Sequence, residues 1–227
     1  KNVLAALSEY AGEADLPHFL SAYLAWYDRA GELEAGAAFV LLDAVHFLPL
    51  EKLGEADLGR IIHFALAEAG RGDSEVRIAA WRLFRHLTGF CPQHPACQEI
   101  ADCVRQADVG GDITMTFLRY RVLTNLGYDT EKEQEILYGR DVVSDIFLDN
   151  LKSSTPWIIK AVNIKLLVDQ IDHGKREHIL HIAAHFSNLI KVSEHVMVRH
   201  DAGRALLRIV GLLTPDQRNE IAMELLK

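Results

Sequence analysis

The sequence predicts an all-α chain wound as a right-handed α-α superhelix, a solenoid of about five helix pairs. Three observations carry that expectation. Nearly every segment places apolar residues at helical spacing, and none alternates as a half-buried strand would. Helix breakers recur at short intervals. The sequence also resembles itself with a period near 40 residues.

The helical spacing is plain in Val76, Ala80, Leu83, Phe84 and Leu87, and again in Ile159, Asn163, Leu166, Leu167 and Ile171. Breaks fall at Gly70-Arg71-Gly72-Asp73, Gly110-Gly111-Asp112, Gly127, Gly174 and Gly211. Thr130 with Glu133 and Thr214 with Gln217 have capping-box spacing, and Pro156 and Pro215 sit where a first helical residue belongs. These signals predict about eleven helices joined by short turns, and residues 1 to 12 read as an amphipathic helix.

The self-similarity emerges when "SEVRIAAWRLF", "MTFLRYRVLTNL", "PWIIKAVNIKLL" and "VMVRHDAGRALL" are superposed. Each has an apolar residue followed at once by a basic one: Val76-Arg77, Leu118-Arg119, Ile159-Lys160 and Val198-Arg199. The apolar positions 76, 118, 159 and 198 are separated by 42, 41 and 39 residues. The period divides a single solenoid spanning 1–227 into approximate units 15–48, 55–89, 96–127, 130–172 and 174–213. In the first, "EAGAAFVLLDAV" occupies the second-helix slot without the basic residue.

The valine-arginine pair, the small residue four after the valine and the leucines beyond it resemble the HEAT repeat family. "DSEVRIAAWRLFRHL" and "VRHDAGRALLRIVGLL" are the two best copies. The resemblance implies an armadillo-like stack whose second helices line a concave side. It also implies that the arginine pairs with an acidic residue near the turn; Asp73 stands at that offset from Arg77, and the other units have no aspartate there.

Composition narrows the function classes. The net charge is −8, against the basic balance that nucleic-acid binding requires. The longest apolar run, Ala35 to Leu42, is far short of the roughly 18 residues of a membrane span. Three cysteines crowded into one segment suit a reducing compartment, so a cytoplasmic protein is expected. The chain starts at Lys1 and stops within the apolar stretch Ile221 to Leu226, which reads as a piece of a longer or processed protein.

Several constellations invite chemistry. Cys91, His94, Cys97 and Cys103 could be metal ligands, but C-x2-H-x2-C-x5-C matches no familiar zinc spacing. Cys103 falls on the core stripe of a helix expected over Ala96 to Ala107, and Cys97 near its N-terminus could have a lowered thiol pKa. His178, His181 and His185 share one helix face, flanking the core stripe Ile179, Ile182, Ala183, Phe186 and Ile190. His200-Asp201 is similar to the His-Glu pairs of the deoxyhypusine hydroxylases, HEAT-repeat di-iron enzymes. It occurs once, opposite Ile78-Ala79, Tyr120-Arg121 and Ala161-Val162, so that activity is rejected. The "GRGD" turn at 70–73 reads as an inter-helix connection with Asp73 or Ser74 as N-cap.

A basic stripe follows from the repeat. Six residues beyond each key apolar position stand Arg82, Thr124, Lys165 and Arg204. With their helix-face neighbours His86, Arg121, Asp169, Asp201 and Arg208 they are expected to line the second helices, exposed and facing a partner in the groove. The favoured reading is a non-catalytic protein-interaction scaffold without a cofactor, gripping an acidic or amphipathic protein segment. One alternative is nucleic-acid binding after the manner of HEAT-like alkylbase DNA glycosylases, using Trp81, Trp157 and Asp201. Another is a metal-binding protein built on Cys91, His94 and Cys97, or on the histidine face.

Overall fold

Helix follows helix along the chain, and no strand occurs among the described residues. The computed structural model describes residues 21, 23–29, 31–139 and 141–226. The helix expected over residues 1 to 12 lies outside them, as does the beginning of the first expected repeat. Among the described residues no helix is long and apolar enough to cross a membrane. The chain divides after Thr130 into two compact units.

The first unit contains α1 (Ala35–Ala44), α2 (Glu55–Ala69), α3 (Ser74–Phe90), α4 (Cys97–Gln106) and α5 (Ile113–Asn125). Helix α3 packs against α1 on one side and α5 on the other, making one layer. Helices α2 and α4 touch each other and form a second layer, tied to the first through α2 with α3 and α4 with α5. The second unit contains α6 (Glu131–Tyr138), α7 (Trp157–Asp172), α8 (Ile179–Val192), α9 (Val196–Ile209) and α10 (Pro215–Leu226). There α7 packs on α9 and α8 on α10, with α8 and α9 joining the layers. Between α6 and α7 the chain passes through a π-helical turn at Ile146–Asn150.

A helix flanked within its own layer and covered by the other layer buries far more than a stripe. In α3 the buried set includes Ile78, Ala79, Trp81 and Thr88 besides the five residues of the predicted stripe. In α7, Asn163 and Gln170 are buried among the aliphatics, and Ile159 of its predicted stripe is only half-buried. Each buried amide has a partner. Asn163 Nδ2 donates to the Ile159 carbonyl at 2.9 Å, and Gln170 Nε2 donates to the Leu137 carbonyl at 2.8 Å. By contrast α10 buries Ile221 and leaves Met223 and Leu226 exposed.

The ends of the helices follow the sequence closely. Asp73 Oδ1 accepts from the backbone N–H groups of Glu75 and Val76, both at 3.0 Å, and so caps α3. The Asp112 carboxylate caps α5 through Met115 N–H at 3.1 Å. Thr214 and Gln217 form a reciprocal capping box at 3.0 and 3.3 Å ahead of α10. Helices α5 and α7 both close with Schellman motifs. Tyr128 N–H reaches the Leu123 carbonyl at 3.0 Å and Lys175 N–H the Gln170 carbonyl at 3.0 Å, around Gly127 and Gly174 at φ of 75° and 91°.

The repeated basic residue works differently from the resemblance. Asp73 is engaged at the N-terminus of α3 rather than with Arg77. Three of the four basic residues instead donate to main-chain carbonyls just ahead of their own helix. Arg119 reaches Ala107 at 3.0 Å, Lys160 reaches Ser153 at 3.0 Å, and Arg199 reaches Ser193 at 2.6 Å and Glu194 at 3.1 Å. Ala107 and Ser193 are the C-caps of α4 and α8, so a cation meets carbonyls that lack an intrahelical donor, at the negative end of the dipole.

Asp73→Ala is expected to lower the unfolding free energy by about 1 kcal/mol, because two N–H groups of α3 lose their acceptor. Urea denaturation followed by circular dichroism measures it. An unchanged midpoint would show that water replaces the cap at no cost.

Candidate functional site

Within each unit, helices of one layer are bridged by polar side chains at intervals close to the sequence period. Arg82 on α3 donates to Asp43 on α1 at 2.8 Å, across 39 residues of sequence. Asn125 on α5 donates to the Arg85 carbonyl at 3.0 Å and to Thr88 Oγ1 at 3.1 Å on α3. A side chain added at Gly89 would place its Cβ 3.4 Å from Asn125 Nδ2, so glycine leaves that approach open. In the second unit Lys165 on α7 lies 3.8 Å from Asp201 on α9, and Arg208 on α9 pairs with Asp172 on α7.

These bridges correct the expected exposure of the stripe. Arg82 is 7% exposed and Asp43 3%, so this ion pair is enclosed between two helices instead of facing a partner. The helical wheel sets Arg82 roughly 120° from the core positions, which clears α2 but turns it toward α1. Lys165 and His86 are half-buried, His86 with its ring 4.7 Å from that of His46, and Arg121 is half-buried too. Arg204 and Arg208 remain exposed. Asp43 and Asn125 were missed as bridge residues. Asp43 had a signal, being the one acid within "AGAAFVLLDA" and standing one period before Arg82.

The exposed face of α9 is mixed. His200, Arg204, Leu207 and Arg208 fall at i, i+4, i+7 and i+8 and are all exposed, Leu207 at 76%. The opposite face buries Val198, Ala202, Ala205, Leu206 and Ile209. An apolar side chain among three cationic or titratable ones is suited to a ligand with both characters.

A cleft of about 380 Å³ opens in the second unit between the start of α7 and the α8–α9 turn. Leu151, Leu189 and Val198 form its buried apolar wall, and Trp157 stacks flat on His195 with ring centroids 4.2 Å apart. Lys160, 9% exposed, and His185 also line it. Burial holds the Lys160 ammonium below its usual pKa, with the Glu194 carboxylate opposing. Burial, then His181 and Lys160, lowers His185. His185 Nε2 is buried without a hydrogen-bond partner.

The segment 91–103 is tied down by hydrogen bonds. His94 Nδ1 accepts from Ala96 N–H at 3.2 Å, which assigns the proton to Nε2, 3.0 Å from the Glu55 carbonyl. Cys91 Sγ donates to the Leu87 carbonyl and Cys97 Sγ to the Cys91 carbonyl, both at 3.3 Å. The suggestion of a reactive Cys97 is corrected: it is buried, and burial, with Cys91 adding to it, pushes its thiol up to about 12. The N-terminus of α4 does not offset that desolvation. Cys103 is half-buried rather than in the core.

The three histidines diverge. His178 sits 3.5 Å from Asp141, His181 stacks on Phe147 at 4.5 Å, and His185 turns into the cleft. Among the described residues no three His, Cys, Asp or Glu side chains are grouped to hold a metal ion. Trp81, at 1% exposure, has no face to offer a nucleic-acid base. Asp201 lies between Lys165 and His200, 3.8 and 3.7 Å away. Set against family models, curated proteins and solved structures, the chain finds no match in any of the three comparisons.

Arg82→Met leaves the Asp43 carboxylate buried without its guanidinium and is expected to cost about 3–5 kcal/mol. Denaturant unfolding reads this directly, and a loss below about 1 kcal/mol would mean that water reaches the pair. Alkylation of Cys97 by iodoacetamide at mildly alkaline pH should run more than about a hundredfold slower in the folded chain than in the urea-unfolded one. Peptide mass spectrometry over a time course provides the comparison.

Proposed function

We propose that the chain is a non-catalytic protein-interaction scaffold, an α-α solenoid of the HEAT kind, that holds an acidic amphipathic segment of a partner protein. The observation that carries this reading is the alternate-neighbour packing within each unit, α1 with α3 with α5 and α2 with α4 in the first, α7 with α9 and α8 with α10 in the second. Stacked layers of this sort present long rows of helix faces, and such rows recognise extended or helical segments by shape and charge. The side-chain bridges at near-period spacing support the solenoid reading, since they join corresponding positions of successive pairs.

The contact surface we assign is the outward face of α9, with Leu207 as the apolar anchor and Arg204, Arg208 and His200 around it. Arg204 forms no ion pair with any described residue, so its charge is available to a carboxylate. Arg82 in the first unit and Lys165 in the second act in this reading as bridges between neighbouring helices of their own unit. Within the first unit, Arg121 and His86 are the members of the stripe that would contact a partner.

Arg204→Glu and Leu207→Glu should each abolish capture of an acidic amphipathic helical peptide while leaving the thermal midpoint within a few degrees, as substitutions at exposed positions do. Fluorescence anisotropy with a labelled peptide of alternating glutamate and leucine faces gives the readout. Equal binding by both variants and the unaltered chain would remove α9 as the surface.

A further inference from the structure

Lys160 is out of step with its counterparts. Arg119 and Arg199 satisfy the carbonyls at the ends of preceding helices. The Lys160 ammonium has three N–H donors, one of which reaches the Ser153 carbonyl, and it forms no ion pair with a described carboxylate. It is more than nine-tenths buried and lies against the 380 Å³ cleft. The Glu194 carboxylate acts on it only through space and does not offset its burial, and an ammonium left in that state is relieved by deprotonation or by a closer anion. Beside it His185 Nε2 is buried with its hydrogen-bonding capacity unused.

We propose that this cleft is a binding site for a monoanionic carboxylate carried on a small apolar or aromatic body. The carboxylate seats between Lys160 Nζ and His185 Nε2. The apolar body lies along Leu151, Leu189 and Val198, with the Trp157 ring at the mouth. One buried cation facing a neutral imidazole balances one negative charge, and Glu194 at the rim disfavours a second, which selects a carboxylate over a phosphate dianion. The cleft's volume suits a ligand the size of an aryl-acetic acid or the last two residues of a peptide. This site stands apart from the α9 face and does not depend on the scaffold reading.

The experiment is a titration of the full chain with phenylacetate and with phenylacetamide, its uncharged isostere, followed by intrinsic tryptophan fluorescence, to which Trp26 and Trp81 contribute a background besides Trp157, and by the thermal midpoint. A second arm uses an acetylated pentapeptide ending in leucine, with its terminus free or amidated. The acid should bind at least tenfold more tightly than its amide, and Lys160→Met should abolish that preference. Preference in the phenylacetate arm alone identifies a free small acid, and preference in the peptide arm identifies a protein C-terminus; each supports the site. Equal response to acid and amide in both arms, or a preference that survives in Lys160→Met, overturns it. Should Lys160→Met fail to fold, the acid-to-amide ratio in the unaltered chain decides alone.

Discussion

The enclosed contact between Arg82 and Asp43 is the constraint from which much of the first unit follows. Two opposite charges can be kept from water only if their geometry is good and neither can leave. Here each sits on a different helix of the same layer, one sequence period apart. The pair therefore fixes the distance between α1 and α3 and their register along the layer. Apolar packing alone would tolerate a slide of α3 along α1, because Val76, Leu83 and Phe84 contribute by area and not by direction. Asn125 repeats the arrangement with neutral groups between α5 and α3. In the second unit the corresponding bridges are wetter: the Lys165 side chain is 33% exposed and the Arg208 side chain 64%. Surface pairs of that kind orient helices more than they stabilise them.

Much of the fold was legible because it is set locally. Gly127 and Gly174 announce Schellman endings, Asp73 and Thr214 announce N-caps, and the apolar spacing of α3 and α8 names the core. What was not legible depends on a second neighbour. A helical wheel assumes one buried direction, and a helix inside a layer has three: two flanks and the facing layer. Arg82 was assigned to solvent on that one-direction assumption, and α1 occupies the space. The same limit hid the cleft, since Lys160 and His185 are brought together from α7 and α8 by packing and share no motif in sequence. For Cys97 the misjudgement was one of magnitude. The helix N-terminus favours a thiolate modestly, and removing the sulfur from water disfavours it much more.

The second unit keeps the sequence pattern of the first while changing the residue that carries it. Position for position, Lys160 corresponds to Arg119 and Arg199, and its hydrogen bond to a main-chain carbonyl is kept. The ammonium engages one N–H with Ser153, and Glu194 acts on it only through space, beside an apolar wall. Trp157 and His195 stack at the opening, which stiffens it without closing it.

The carbonyl locks of Arg119 and Arg199 have a consequence for how freely such a chain can be rewritten. Their acceptors are main-chain oxygens, and every amino acid supplies one. A lock between two side chains fails when either partner is replaced; these two tolerate replacement of Ala107, Ser193 and Glu194 so long as the backbone path persists. The connections preceding α5 and α9 are thus places where residues can be exchanged for a designer's purpose, or by drift, while the angle between the paired helices stays as it is. Two copies of this architecture could hold the same shape and have few letters in common.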